Sequence, residues 1–166
     1  ADADHISGAA SLIRRFRVRR LVISEPFLTD PRARAVLLAA AAVPTVVVCD
    51  GDTLFTSSGI PVRVLGPPAT TPGWKPNDNS VVLFAESSGL SVLLTGDSER
   101  RAVAALMRHP PRADVLQIPH HGGASSKSLE LPAHVRPAIA VASAREWFLS
   151  PEVEADYRAL GIPLEG

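Results

Sequence analysis

The chain of 166 residues contains one cysteine, Cys49, and equal numbers of basic and acidic residues. A single cysteine excludes an internal disulfide and any zinc site built from several cysteines. The 17 Lys and Arg residues against 17 Asp and Glu residues give a formal net charge of zero. Composition alone therefore gives no electrostatic case for nucleic-acid binding by the fold as a whole.

Long apolar runs and targeting signals are also missing from the sequence. No apolar stretch approaches the roughly 20 residues that a transmembrane helix needs, and no charged segment followed by a cleavable apolar one marks a signal peptide. Apolar residues make up 46% of the chain and charged residues 20%. That balance, at this length, is typical of one soluble globular domain.

Arginine is clustered in spite of the neutral balance. Five arginines lie within seven positions, at residues 14–20. Two interpretations are open at this point: a solvated surface where a helix ends and a strand begins, or a patch that contacts phosphate groups.

The order of the predicted elements favours an α/β fold with a mixed sheet, because βα alternation flanks a central stretch of strands. Asp30 is the predicted N-cap of the second helix and Ser98 that of the third. Helices are predicted at residues 7–16, 31–42, 98–108, 128–134 and 151–160. Strands are predicted at residues 21–23, 45–49, 61–65, 79–86, 90–95, 115–118 and 138–142.

Three short clusters combine carboxylates and imidazoles, and two of them directly follow predicted buried strands. Strand ends can present polar groups to one cleft of a sheet. Carboxylate and imidazole ligands suit Zn²⁺ or Mn²⁺. The clusters are Asp2-Ala3-Asp4-His5, Thr95-Gly96-Asp97 and Pro119-His120-His121-Gly122.

Each cluster also has a purely structural interpretation. His120-His121 can be a capped strand end with one core histidine, and Asp97 can cap the helix that follows. Asp2 and Asp4 can form a solvated N-terminal turn. The metal interpretation gains weight because all three clusters occur in one chain. A bound divalent ion lowers the pKa of its water to about 7, and two ions roughly 3.5–4 Å apart stabilise both the attacking and the leaving oxygen of a hydrolysis.

The same clusters resemble motifs of the metallo-β-lactamase superfamily, and in particular of the hydrolase domain of ComEC, the channel protein for DNA uptake in natural competence. Residues 2–8 resemble the end of its H-x-D-x-D-H-x-x-G motif. The other segments that resemble the family, in its order, are residues 77–83 (N-x-S and a hydrophobic strand), 93–97 (L-L-T-G-D), 113–122 (A-D-V-L-K-x-x-H-H-G) and 136–143 (R-P-x-x-A-x-I-S). The resemblance implies an αββα sandwich with mixed sheets.

Roles follow from the resemblance residue by residue. It implies Asp4, Asp97 and His121 as catalytic metal ligands, with Asp97 bridging two ions of Mn²⁺ or Zn²⁺. His5 is a further implied ligand, and His120 is the alternative to His121. The weaker ligand candidate is Asp2, which stands where many relatives have a histidine, and the implied substrate-binding residues are Asn79 and Ser80.

The chain departs from the family pattern at both ends. The first histidine of the motif would fall immediately before Ala1, and the family's first strands would precede it. We therefore expect residues 1–166 to be a single but partial domain of a larger membrane protein. Near the other end, Ser150 stands where the family's N-x-x-x-H-P motif has its histidine, and Pro151 matches.

The function that this resemblance implies is metal-dependent cleavage of DNA phosphodiesters during DNA uptake. The implied partners are DNA and the membrane channel of the same polypeptide, with the domain on the extracytoplasmic side of the cell membrane; a cytoplasmic location is the alternative. Two other functions stay open: a catalytically impaired domain that binds DNA or is structural, and a small-molecule metallo-hydrolase. The sequence does not indicate an oligomeric state.

Overall fold

The computed structural model describes residues 3–143 and 149–166, with the backbone alone for residues 3 and 4. These residues form two compact units, Ala1–Cys49 and Asp50–Gly166. The α-helices are α1 (Ala3–Ile6), α2 (Ala9–Arg15), α3 (Arg34–Ala39), α4 (Arg100–Leu106), α5 (Glu130–Val135) and α6 (Pro151–Ala159). The strands are β1 (Leu21–Ile23), β2 (Thr45–Val47), β3 (Thr53–Phe55), β4 (Pro61–Gly66), β5 (Val82–Ser87), β6 (Leu90–Leu94), β7 (Val115–Gln117), β8 (Ile139–Val141) and β9 (Leu164–Glu165).

The first unit is built from short elements around a two-stranded sheet. β1 and β2 pair in parallel, with Leu21 opposite Thr45, and α3 lies in the connection between them. Asp30 is an N-cap, as predicted: its carboxylate accepts the Arg32 backbone N–H at 2.9 Å. The Arg32 guanidinium also donates to this carboxylate at 3.0 Å and holds the pKa of Asp30 well below its usual range. A 3₁₀ turn at Pro31–Ala33 precedes α3.

The second unit contains a seven-stranded sheet in which β3 to β9 lie side by side in chain order. β3 to β6 are antiparallel neighbours. From β6 to β9 the neighbours are parallel. The predicted α/β class with a mixed sheet is therefore confirmed in the described residues.

The core of the second unit lies on one face of this sheet. Leu93, Leu116 and Ala140 are neighbours in register on β6, β7 and β8, and each is fully buried. Apolar side chains of α4, α5 and α6 join the same cluster, among them Val103 of α4 and Val135 of α5. Burying a large aliphatic side chain stabilises a fold by about 1.5–3 kcal/mol, so these contacts anchor the central strands.

Several predicted details are wrong. The third predicted helix, residues 98–108, is α4, which begins at Arg100 with Glu99 as its N-cap. Ser98 does not cap it, because its hydroxyl donates to the Thr95 carbonyl at 2.6 Å. Nor does Asp97 occupy the cap position. The first predicted helix, residues 7–16, corresponds to the shorter α2, and α1 before it was not predicted.

Two strands of the sheet have no counterpart in the prediction. β3 has three residues and β9 has two. Neither lies in a run of three or more consecutive apolar residues like those that mark β1, β2 and β8, so no sequence pattern predicts them.

In residues 3–143 and 149–166, every helix is too short or too polar to cross a membrane.

Candidate metal centre

The candidate site lies at one edge of the seven-stranded sheet, where three parallel strands end. β6, β7 and β8 run in the same direction, so their carboxyl ends meet at a common edge. Asp97 follows β6, His120 and His121 follow β7, and Ser143 follows β8. The sheet therefore gathers residues that are up to 46 positions apart in the chain.

The turn that carries Asp97 is held by a neighbouring strand. The side-chain carbonyl of Gln117 accepts the backbone N–H groups of Thr95 and Gly96, both at 3.1 Å. The Thr95 hydroxyl in turn donates to the Gln117 backbone carbonyl at 2.8 Å. Gly96 has φ +56°, a conformation in which a side chain is strained. Asp97 is buried, with 7% of its surface exposed, and these hydrogen bonds fix the backbone that positions it.

The histidine loop is strained in the region of the candidate ligands. His120 and His121 have φ values of 47° and 55°, two successive non-glycine residues in the left-handed region. Each such residue costs roughly 1–2 kcal/mol, and strain of this kind concentrates at functional sites. A hydrogen bond from the His120 N–H to the Gly96 carbonyl, at 3.0 Å, ties this loop to the Asp97 turn.

Gly122 completes the loop and has φ +79°. A Cβ atom there would collide with the Leu149 side chain. The buried Ser126 hydroxyl donates to the Pro119 carbonyl at 2.7 Å and closes the loop from the other side. The surrounding structure therefore imposes the strained histidine backbone.

The His121 ring is oriented by a backbone carbonyl. Its Nδ1 lies 2.6 Å from the carbonyl oxygen of Ser143. Because a carbonyl only accepts hydrogen bonds, Nδ1 carries a proton, and Nε2 is the ring nitrogen that could ligate a metal. Nε2 lies 3.4 Å from Oδ1 of Asp97.

Two acceptor atoms that face each other at this distance repel unless a proton or a cation lies with them. The donor set fits a divalent metal. In a tetrahedral site with metal–ligand distances of about 2.0–2.2 Å, two ligand atoms stand about 3.3–3.6 Å apart, which matches the separation of Nε2 and Oδ1. A backbone carbonyl on the other ring nitrogen is the usual outer support of a metal-bound histidine.

The His120 ring has different partners from the His121 ring. Its Nδ1 lies 2.7 Å from the Ser125 hydroxyl and 3.6 Å from Oε1 of Glu99. The two histidine rings are 6.1 Å apart and tilted by 54°. This geometry supports the choice of His121 over His120 as the ligand beside Asp97, which remains a prediction.

The predicted substrate-binding residues are engaged within the protein. The Ser80 hydroxyl accepts the backbone N–H of Asp97 at 3.1 Å. The Asn79 side chain is buried, accepts from the Thr71 hydroxyl at 2.5 Å and donates to the Lys75 carbonyl at 3.1 Å. Both residues precede β5, which is antiparallel to β6, so they lie at the same sheet edge as Asp97. Their contact with a substrate remains a prediction.

Sequence reasoning did not find a role for Asp78. This buried carboxylate accepts the backbone N–H groups of Arg101 and Ala102, at 3.1 and 3.0 Å, and so caps α4 from more than 20 residues away. Gln117 and Ser143 were also missed as supports of the site. Asp78 and Gln117 lie within the quoted motifs, but a side chain that binds a distant backbone leaves no local pattern.

The N-terminal candidates belong to the other unit. Asp4 and His5 lie on α1, and the His5 side chain is exposed. Asp2 lies outside the described residues. The ligand roles of these three residues remain predictions.

The solved structures that resemble this chain define its fold class. Igni18, a metallo hydrolase from Ignicoccus hospitalis, matches 99% of this chain and 72% of its own, with a TM-score of 0.64 and 15% identity. Zn²⁺-bound PqqB from Methylobacterium extorquens matches 99% of this chain and 68% of its own, with a TM-score of 0.63 and 16% identity. The fold is that of the metallo-β-lactamase superfamily, as predicted.

Sequence comparison narrows the class. ComE operon protein 3 of Bacillus subtilis is 37% identical over 148 residues, which are 87% of this chain and 19% of that protein. Recombination protein 2 of Haemophilus influenzae is 39% identical over 71 residues, which are 43% of this chain and 9% of that protein. No family model matches. The chain is a ComEC-like metallo-β-lactamase domain, and it spans about a fifth of ComE operon protein 3 and less of Recombination protein 2.

Proposed function

We propose that this chain is a metal-dependent hydrolase domain that cleaves DNA phosphodiester bonds during DNA uptake in natural competence. The observation that carries the proposal is the pairing of Asp97 and His121 at the sheet edge, with their ligand atoms 3.4 Å apart. Similarity to ComE operon protein 3 supports the biological setting. In that setting the domain is part of a membrane protein and lies on the extracytoplasmic side, with the membrane channel as its partner.

Asp97 and His121 would hold the divalent ion, Zn²⁺ or Mn²⁺, and Asp2, Asp4, His5 and His120 are the further candidate ligands. A bound ion supplies Lewis-acid chemistry, since it stabilises negative charge on phosphate oxygens and lowers the pKa of water to about 7. The protein's own contribution is orientation. Ser143 holds the His121 ring through Nδ1, and Ser80 accepts the Asp97 backbone N–H.

A catalytically impaired domain that binds DNA is the second candidate function, and one observation favours it. Ser150 stands where the family has a histidine, and its backbone N–H donates to the Gly122 carbonyl at 3.0 Å, next to His121. The position is therefore close to the histidine loop. A serine hydroxyl there is a poorer metal ligand than an imidazole, so the substitution weakens a site in which that imidazole takes part.

The test is cleavage of linear single- and double-stranded DNA with added Mn²⁺ or Zn²⁺. Asp97→Ala and His121→Ala are compared with matched controls, Asp156→Ala and His134→Ala. His134 is exposed on α5, and its Nδ1 lies 2.9 Å from the Glu130 carbonyl of its own helix. We expect metal-dependent cleavage that both site variants lose and both controls keep.

The other outcomes separate the alternatives. Metal binding without cleavage of any substrate would favour the impaired domain. Cleavage of a small phosphodiester such as bis(p-nitrophenyl) phosphate, but not of DNA, would favour a small-molecule hydrolase. Equal cleavage by the Asp97→Ala variant and the wild type would overturn the assignment of this site.

A further inference from the structure

The segment at residues 14–20, here called the arginine segment, is an exposed basic surface within the first unit. Two of its arginines end α2 and three follow it. All five are exposed. Within the described residues, 3–143 and 149–166, none of them takes part in an ion pair or a side-chain hydrogen bond. The arginines are Arg14, Arg15, Arg17, Arg19 and Arg20.

The charge of this segment is not balanced nearby in the sequence. Residues 1–49 contain seven arginines and four acidic residues, a formal charge of +3. One of those acids, Asp30, already binds Arg32. Six peptide steps span at most about 22 Å, so five like charges are attached to one short stretch of backbone and repel one another. A partner with closely spaced negative charges would relieve that repulsion.

The type of cation indicates the type of anion. Residues 1–49 contain no lysine, so every cationic side chain in the first unit is an arginine. The planar guanidinium group forms paired hydrogen bonds with phosphate oxygens and stacks on aromatic rings, which a lysine ammonium group does not. Phosphates spaced along a polymer therefore suit this segment.

An aromatic side chain lies in the middle of the same segment. Phe16 is 65% exposed, and its neighbours on both sides are exposed arginines. Aromatic rings beside cationic groups are the common platform for single-stranded nucleic acid, since any unpaired base can stack on the ring while the cations follow the backbone. In duplex DNA the bases are already stacked on each other.

A membrane surface suits the segment less well. Helices that lie in a membrane interface present a broad apolar face. α2 has only seven residues, and in residues 9–20 the large apolar side chains with high exposure are Leu12 and Phe16. Two such side chains bury too little area to hold the chain on lipid.

We propose that the arginine segment binds the phosphate backbone of single-stranded DNA without sequence preference, with Phe16 stacked on a base. The choice of DNA as the polymer rests on the proposed function. Binding by the segment is independent of catalysis and needs no metal, so the two ideas can fail separately.

The test measures binding of a fluorescently labelled oligothymidylate by anisotropy, in EDTA and over a range of salt concentrations. Arg17→Gln/Arg19→Gln is compared with Arg108→Gln/Arg112→Gln, a pair of exposed arginines in the second unit with the same charge change. Each lost phosphate contact lowers the slope of log K against log salt by about 0.7 for single strands. We expect Arg17→Gln/Arg19→Gln to lower the salt slope by about 1.4 and to weaken the affinity for the oligothymidylate about tenfold. The control pair is expected to change neither the slope nor the affinity.

Phe16→Ala tests the stacking part separately. It is expected to weaken binding of oligothymidylate several-fold while the salt slope stays unchanged, because no cation is lost, and to leave duplex binding as in the wild type. Circular dichroism spectra of each variant, compared with the wild type, would check that the fold is kept.

Several results would overturn the proposal. The two arginine pairs could weaken binding equally, the wild type could fail to bind oligothymidylate, or it could bind phosphatidylglycerol vesicles and not DNA. If the arginine variant binds normally while metal-dependent cleavage persists, the proposed function stands and this inference fails. If the arginine segment binds DNA, but the wild type does not cleave DNA or Asp97→Ala cleaves it equally well, the inference stands and the proposed function fails.

Discussion

The two units of this chain differ in their cores: among the described residues, the largest fully buried side chains all lie in the second unit. The second unit buries its apolar residues under a seven-stranded sheet and presents polar residues at the strand ends. The first unit has a two-stranded sheet and leaves large apolar residues exposed, among them Leu12, Phe16 and Leu38. Their charges are opposite as well: +3 for residues 1–49, and −3 for residues 50–166, with ten basic and 13 acidic residues. A neutral total therefore conceals a basic and an acidic part.

The comparison predicts that the two units differ most in their response to loss of an apolar side chain. Leu116→Ala removes a fully buried side chain from the centre of the sheet and should lower the free energy of unfolding by about 3 kcal/mol. Leu12→Ala removes a side chain that is 56% exposed and should change it by less than about 0.5 kcal/mol. Urea unfolding monitored by circular dichroism measures both. Similar losses would show that the units do not differ in this way.

The next effect concerns the support of the candidate site. Gln117→Leu keeps the approximate volume of the side chain but leaves the Thr95 and Gly96 N–H groups without their acceptor. An unsatisfied buried donor costs about 1–3 kcal/mol. Removing such an outer support also weakens metal affinity, typically by about 10–100-fold.

Gln117→Glu is the control, because it keeps a side-chain oxygen at that position. Zinc titration and urea unfolding of both variants would check the prediction. Metal affinity that is the same in the leucine variant and the wild type would show that the Asp97 turn needs no support from β7.

A smaller loss is expected at the distant cap of α4. Asp78→Ala removes the acceptor of two N–H groups at the start of the helix, and loss of a cap costs typically about 1 kcal/mol. Asp78→Asn keeps an oxygen and should recover most of the loss in thermal unfolding. If the alanine and asparagine variants are equally destabilised, the carboxylate contributes through its charge and not as a cap.

The smallest effect is a pH dependence at the start of β7. The Ser91 hydroxyl and backbone N–H both donate to the Asp114 carboxylate, at 2.6 and 2.8 Å, and hold the pKa of Asp114 below its usual value. Because the folded state has the lower pKa, this contribution is complete above the unfolded pKa of about 3.9 and is lost as the pH falls through the folded value.

The difference in unfolding free energy between the wild type and Ser91→Ala should therefore be constant above about pH 5 and become smaller in more acidic buffer. Part of it remains at low pH, because the Ser91 hydroxyl also accepts the Asp114 backbone N–H at 3.0 Å. A difference that persists unchanged at pH 2 would show that these hydrogen bonds do not depend on the charge of Asp114.

The α/β class and the placing of Asp97 and His121 at strand ends could be predicted, because each follows a short apolar run in the sequence. The support of those residues could not be predicted. Gln117 and Asp78 act on backbone groups more than 20 positions away, and no local pattern marks such bonds. Ser98 has the ordinary sequence of an N-cap, yet its hydroxyl donates to a carbonyl within the preceding turn.

The first unit shows that the overall composition of a chain can hide a locally charged surface. A zero net charge gives no case for nucleic-acid binding by the fold as a whole, but this zero is the sum of two oppositely charged units. The arginines at residues 14–20 were visible in the sequence, but their exposure and their lack of ion pairs within the described residues needed the structure.

The central claim is that strand ends in the second unit place Asp97 and His121 as ligands of one divalent ion. Equilibrium dialysis against Zn²⁺ with elemental analysis tests it most directly, on the wild type, Asp97→Ala, His121→Ala and the controls Asp156→Ala and His134→Ala. The account predicts at least one ion per chain in the wild type and both controls, and a loss of that ion in both site variants. Equal metal content in all five proteins, or none in the wild type, would contradict it.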